Sequence, residues 1–116
     1  MMRSTTLLCA AAALSLGATT VLAAGAGDAM AGKEKAAQCV ACHGPDGNSP
    51  SPQFPKLAGQ HADYIVRALT DYATGARKNA IMAGFAANLT ERDRADLAAW
   101  FASQSGDLHT VGHPGR

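Results

Sequence analysis

The stretch Cys39-Val40-Ala41-Cys42-His43, opening the segment CVACHGPDGNSP (39–50), places two thiols three residues apart with an imidazole directly after them. On a helical turn, residues i, i+3 and i+4 are neighbours on one face. Both sulfurs and the ring therefore point to the same side. Three chemistries use thiols at this spacing. A thioredoxin-like redox pair opens a helix after a strand, within a βαβ pattern, whereas these thiols close a helical segment with no strand pattern around it. A tetrahedral zinc site needs two more ligands. His109 and His113 offer them at i, i+4, but 66 residues lie between Cys42 and His109, and Gly112 and Pro114 oppose a helix there.

The third chemistry is covalent haem attachment, for which Cys-x-x-Cys-His is the signature. Two thiols on one helical face can meet the vinyl groups along one porphyrin edge, and the Nε2 of His43 can reach the iron from the same side. Whether such a site carries electrons depends on the sixth ligand. An open position allows gas binding or peroxidase-like chemistry, and a thioether closes it and raises the potential. Met30 lies just upstream of the motif and reads as a packing residue. Met82 lies 39 residues after His43, in KNAIMAGFAANLT (78–90), between two helical segments. It is the candidate distal ligand.

The rest of the chain suits a domain built around a cofactor. Its 116 residues allow one domain. The first 23 read as a secretory signal peptide. Arg3 precedes the uncharged apolar run LLCAAAALSLGATTVLAA, and small residues allow cleavage after Ala23 or Ala24. The alternative is a retained anchor, since about 18 apolar residues can span a bilayer; the run is rich in Ala rather than Leu. Cys9 lies in this run, in TLLC, which lacks the small residue expected before a lipidated cysteine, so it reads as discarded. Cleavage after Ala23 leaves nine Lys and Arg against nine Asp and Glu. That balance excludes the basic stripe of a nucleic-acid binder. The mature chain is poor in bulky apolar residues, and small exported domains commonly add a disulfide, metal or cofactor. A disulfide across Cys39 and Cys42 would close too small a loop to constrain the unfolded chain much.

Helical periodicity appears in three segments. The first runs from an Asp28 cap to Val40, with Ala29, Gly32, Ala36 and Val40 as a small-residue stripe. Gly32 there costs about 1 kcal/mol against Ala, which a close helix approach would explain. The second runs over 62–72, with Tyr64, Ile65, Ala68, Leu69 and Tyr72 on one face, and Gly75 ends it. The third runs over 91–104, with Thr90 and Asp93 as a capping-box variant and Leu97, Trp100 and Phe101 as its buried face. Between the first two, residues 44–60 hold four of the five prolines. A loop this long is usually functional and needs a surface to wrap. Leu57, Ile65, Leu69, Trp100 and Phe101 are candidates for the cofactor wall. Residues 106–116 read as a flexible tail.

The motifs CVACHG, FPKLAGQ (54–60) and IMAGFAANLT (81–90), with the aromatic-bearing last helix, strongly resemble class I c-type cytochromes, and most closely one half of the dihaem bacterial cytochromes of the c-four type. The likeness covers 28–104. It implies an all-α fold, three to four helices around one covalently attached haem c, with the N- and C-terminal helices crossing at Gly32. It also implies thioether bonds at Cys39 and Cys42, His43 as proximal and Met82 as distal ligand, and a Pro55 carbonyl accepting from the His43 ring. The chain has one Cys-x-x-Cys-His, so a monohaem domain over 24–105 is expected rather than the dihaem protein. His109 and His113 match no motif of that family. The resemblance implies no enzyme but a single-electron carrier, and the signal segment implies that it is periplasmic, with no membrane anchor expected after cleavage. Its partners would be redox proteins such as a quinol-oxidising complex and a terminal oxidase. Alternatives are the electron-accepting subunit of a periplasmic dehydrogenase and, with Met82 detached, a gas-binding or peroxidase-like haem protein. Lys33, Lys35, Lys56, Arg77 and Lys78 are candidates to border the docking surface, or else form a solvated face.

Overall fold

A computed structural model describes residues 26–108. The expected signal segment with Cys9 lies outside the described residues, as do His109 and His113. All regular elements among the described residues are helical: α1 (Ala29–Lys35), a 3₁₀ turn (Ala36–Gln38), α2 (Val40–His43), α3 (Ala62–Thr74), α4 (Ala80–Ala86) and α5 (Glu91–Ala102). The fold is all-α, as expected, and α4 is an element that periodicity did not reveal.

Helices α1, α4 and α5 each start on a side-chain cap. Asp28 Oδ1 accepts from the backbone N–H of Met30 and Ala31 at 2.8 and 3.1 Å, satisfying two otherwise orphaned donors of α1. Thr90 and Asp93 form the reciprocal capping box of α5. Asn79 Oδ1 accepts from Met82 N at 3.0 Å and starts α4. At the far end of α3, Gly75 adopts a left-handed conformation with φ 78°, which favours glycine.

The first helix is not continuous. Its backbone tightens into a 3₁₀ turn at Ala36–Gln38, with Cys39 N bonded to Ala36 O at 2.7 Å. A 3₁₀ turn winds faster than an α-helix, by about 20° per residue. The small-residue stripe is therefore rotated by about 60° across the turn. Gly32 and Ala36 are buried, but Val40 emerges to solvent, and Cys39, Cys42 and His43 turn inward. Met30 is also exposed rather than packed, at 68%.

Helices α1 and α5 pack together, and α3 packs on α5 and α4. At the α1–α5 contact a Cβ on Gly32 would lie 2.0 Å from the Asp96 carbonyl oxygen. Only a hydrogen fits there, which accounts for a glycine inside a helix. Asp96 is the buried centre of this crossing. Its carboxylate accepts from Asp28 N at 2.8 Å and Lys35 Nζ at 2.6 Å, and lies 3.0 Å from Arg92 Nε. Lys35 also pairs with Asp93 at 2.8 Å. The Lys35 ammonium and the Asp28 N–H hold the Asp96 carboxyl below the usual carboxylate range. No periodicity argument marks Asp96, because a charged residue on a core-facing helix position contradicts the hydrophobic pattern.

The apolar core beside this crossing is thin. Ile65, Leu97 and Phe101 are its only large buried apolar side chains among the described residues, and the others are alanines.

Candidate functional site

Residues Cys39–His43 form a single helical turn closed by the bond from His43 N to Cys39 O, 2.9 Å. Cys39 caps α2 and Cys42 and His43 complete it. The Pro-rich segment that follows is tied down at several points. Leu57 N donates to Gly47 O at 2.8 Å, and Gly59 N donates to Phe101 O at 2.9 Å, at the end of α5. Asn48 Nδ2 donates to Ser105 O at 2.9 Å. Ser49 Oγ donates to Cys42 O at 3.3 Å, linking the loop back to the thiol turn. So anchored, the loop brings the Pro55 carbonyl 2.8 Å from His43 Nδ1. A carbonyl only accepts, so Nδ1 carries a proton, and in the neutral ring the lone pair is then on Nε2. The edge of Phe54 meets the His43 ring, with centroids 6.4 Å apart. His43 is nearly buried at 7% exposure.

These groups line one cavity of about 350 Å³. Cys39, Cys42 and His43 enter it from α2, and Met82 from α4. Chain segments 39 residues apart are thus brought to one space. The whole expected face of α3, Tyr64, Ile65, Ala68, Leu69 and Tyr72, lines it as well. That face is apolar because it walls a cavity; only Ile65 on α3 is buried. Leu57 and Phe101 line it as expected. Trp100 does not: it flanks the Gly32 contact, with Lys33 Nζ 5.6 Å from its ring centroid. Helix α5 turns Leu97 and Phe101 to the cavity and Trp100, one position round, to α1.

Of the five candidate border cations, Lys56 and Arg77 line the cavity. Lys33 and Lys35 belong to the α1–α5 crossing instead. Phe54 and Asn79 were not marked by the sequence reading; an Asn three residues before Met82 is the helix-start signal that could have found the latter.

Burial raises the Cys39 thiol above its ordinary value, and Cys42 adds to the effect. Catalytic redox pairs need the opposite, a depressed thiol. Among the described residues no three His, Cys, Asp or Glu side chains are grouped so as to hold a metal ion between them. What remains is a donor set of two thiols, an imidazole whose Nε2 bonds to no protein group among the described residues and a thioether, around an apolar cleft.

The family profile "Cytochrome c" matches residues 29–105. The chain belongs to the cytochrome c family. It is 55% identical over 91 residues to cytochrome c4 of Pseudomonas aeruginosa, covering 78% of this chain and 45% of that one. Cytochrome c-554(548) of Halomonas halodenitrificans is 45% identical over 82 residues, 68% of this chain and 99% of that one. A thiosulfate dehydrogenase electron acceptor of Thiomonas intermedia is 40% identical over 69 residues, 59% of this chain and 32% of that one. The solved structure of reduced cytochrome c4 from Pseudomonas stutzeri superposes with a TM-score of 0.67 at 47% identity, covering 72% of this chain and 48% of that one. The chain thus spans about half the length of the cytochromes c4 that it matches. As a cytochrome c it takes haem c, covalently bound, and Cys39, Cys42 and His43 fit the attachment signature. The cavity suits that group: its walls are largely apolar, and its nitrogen donor is already oriented.

Proposed function

We propose that this cytochrome c is a periplasmic carrier of single electrons between respiratory redox proteins, such as a quinol-oxidising complex and a terminal oxidase. Haem c supplies the one-electron Fe(III)/Fe(II) chemistry when bound. The observation that carries the reading is the convergence of Cys39, Cys42, His43 and Met82 on one cavity. In this reading Cys39 and Cys42 form the thioether bonds. His43 Nε2 is the proximal iron ligand and the Met82 thioether the distal one. The Pro55 carbonyl fixes the imidazole tautomer and orientation by its 2.8 Å bond. Leu57, Ile65, Leu69 and Phe101 exclude water. In this reading the protein carries electrons rather than catalysing a bond change.

The periplasmic location rests on the composition of residues 1–23, removed on export, with the domain spanning 24–105. No helix among the described residues is long and apolar enough to cross a membrane. A second reading, an electron acceptor for a periplasmic dehydrogenase, draws support from the name of the Thiomonas relative. It uses the same site and differs only in its partner, so a stably co-purifying dehydrogenase would favour it.

The test is spectroscopic. Mature protein from a host competent in cytochrome maturation should carry one haem by mass and show a methionine–iron charge-transfer band. The reduced form should bind carbon monoxide slowly or not at all. Met82→Ala should lose the band, bind carbon monoxide promptly and show a lower midpoint potential, since a thioether ligand raises it. Prompt binding by the wild type would instead point to a gas-binding or peroxidase-like haem protein.

A further inference from the structure

The loop that presents the Pro55 carbonyl to His43 has no helix or strand of its own over residues 44–60. Part of what holds it lies beyond α5. Residues 105–108, which include the first three of the expected flexible tail, lie against both limbs of the loop. On the outgoing limb, Asn48 Nδ2 donates to Ser105 O at 2.9 Å. On the returning limb, Lys56, directly after Pro55, pairs with Asp107. A Cβ on Gly59 would lie 3.0 Å from Leu108 O. Gly106 touches both limbs at once: a Cβ there would lie 2.8 Å from Ala58 Cβ, 2.8 Å from Asn48 Oδ1 and 2.9 Å from Ala58 O.

These ties differ in weight. Asp107 is 79% exposed, and an ion pair so open to water contributes little. The close fit at Gly106 is the stronger tie, because the Ala58 carbonyl that it meets is backbone and cannot rotate away. We propose that residues 105–108 are a strap that clips the two limbs of the loop together and so sets the Pro55 carbonyl against His43, with Gly106 and Asp107 as positioning residues for the imidazole. The inference rests on the haem reading above and adds a role for a segment outside the cavity. The bond from Nδ1 to the carbonyl fixes the ring and raises its basicity as a ligand. With the strap lifted, the limbs can part, the carbonyl swings away and water reaches the Nδ1 proton.

The test is solvent exchange of the His43 Nδ1 proton, followed by NMR in the reduced mature holoprotein, with a redox titration beside it. Gly106→Ala should speed exchange about tenfold, the factor that an overpacking cost of this kind implies. That substitution adds no charge, so its midpoint potential should rise only because a less basic imidazole stabilises Fe(III) less. Gly32→Ala is the control. It strains the α1–α5 crossing and should lower stability, yet leave exchange near the wild-type rate, because exchange under native conditions runs through local opening. Asp107→Lys replaces the ion pair by a repulsion at an exposed site and should speed exchange about twofold to fivefold. It decides the matter should Gly106→Ala fail to accumulate. Exchange in Gly106→Ala no faster than in Gly32→Ala, or wild-type exchange in Asp107→Lys, would overturn the inference. The methionine–iron band should persist in all three variants, so failure of the haem ligation itself is read separately.

Discussion

Asp96 is where a single residue departs most from expectation, and its environment makes a pH prediction. The carboxylate is buried at 2% exposure, with Lys35, Arg92 and the Asp28 N–H as partners. Both Asp96 and its neighbour Asp93 are held below the ordinary carboxylate value of 3.8, chiefly by hydrogen bonds from Lys35. A depressed carboxylate stabilises the fold at pH values above its unfolded pKa. That contribution is lost as pH falls through the folded pKa. The α1–α5 crossing should therefore be at full strength above about pH 5 and weaken progressively as acid is added below about pH 4. Thermal unfolding of wild type and Asp96→Asn between those limits and stronger acid should converge as pH falls. A constant gap down to the lowest pH would remove the ion pairs from this account. Lys35 was a candidate for the docking surface because sequence shows its charge and not the two carboxylates that absorb it.

Among the elements, α1 and α4 respond to single substitutions for opposite reasons. At Gly32 an alanine would gain about 1 kcal/mol of helix propensity. Its Cβ, however, would lie 2.0 Å from a backbone oxygen of α5, which no side-chain rotation can relieve. Overpacking of this kind costs about 1–3 kcal/mol or more, so Gly32→Ala should be destabilising, and Gly32→Val more so, in denaturant unfolding. A stabilised Gly32→Ala would show that the helices can move apart freely. Helix α4 has seven residues, which is marginal alone. Its Asn79 cap holds the N–H of Met82 itself. Asn79→Ala should cost about 1 kcal/mol. With Met82 as the proposed distal ligand, it should also raise the rate of carbon monoxide binding to the reduced protein, because a frayed α4 would release that ligand more often. An unaltered rate would mean that the surrounding packing, rather than the cap, positions Met82. Periodicity missed α4 because seven residues rich in Ala carry too little contrast between faces.

For the whole molecule, the question is what closes the core. Among the described residues seven apolar ones are buried, and four of them are alanines. The best apolar face, that of α3, looks into the cavity, and Ile81 and Phe85 on α4 stay 63% and 43% exposed. A chain this small buries a limited fraction of its surface even when well packed, so covalent haem is needed as a core element. The double variant Cys39→Ser/Cys42→Ser, made without attachment, should lose cooperative thermal unfolding and bind a hydrophobic dye. The same midpoint and sharpness as the holoprotein would refute this account of stability.

The thiol–imidazole turn, the caps at Asp28 and Thr90 and the face of α3 were legible in the chain itself, because each depends on neighbours within a turn or two of helix; Gly32 was legible only as an anomaly inside a helix, whose reason lies on α5. The 3₁₀ turn that rotates Val40 out, the buried Asp96, the displacement of Trp100 from cavity to crossing and the placing of Arg77 were not. Asp96 and Trp100 are decided by partners far along the chain, brought close only when α1 and α5 pack, whereas the 3₁₀ turn and the placing of Arg77 against Tyr64 and Tyr72 depend on local winding that carries no periodic signal. Local spacing decides which groups can share a face, and long-range packing decides what that face meets.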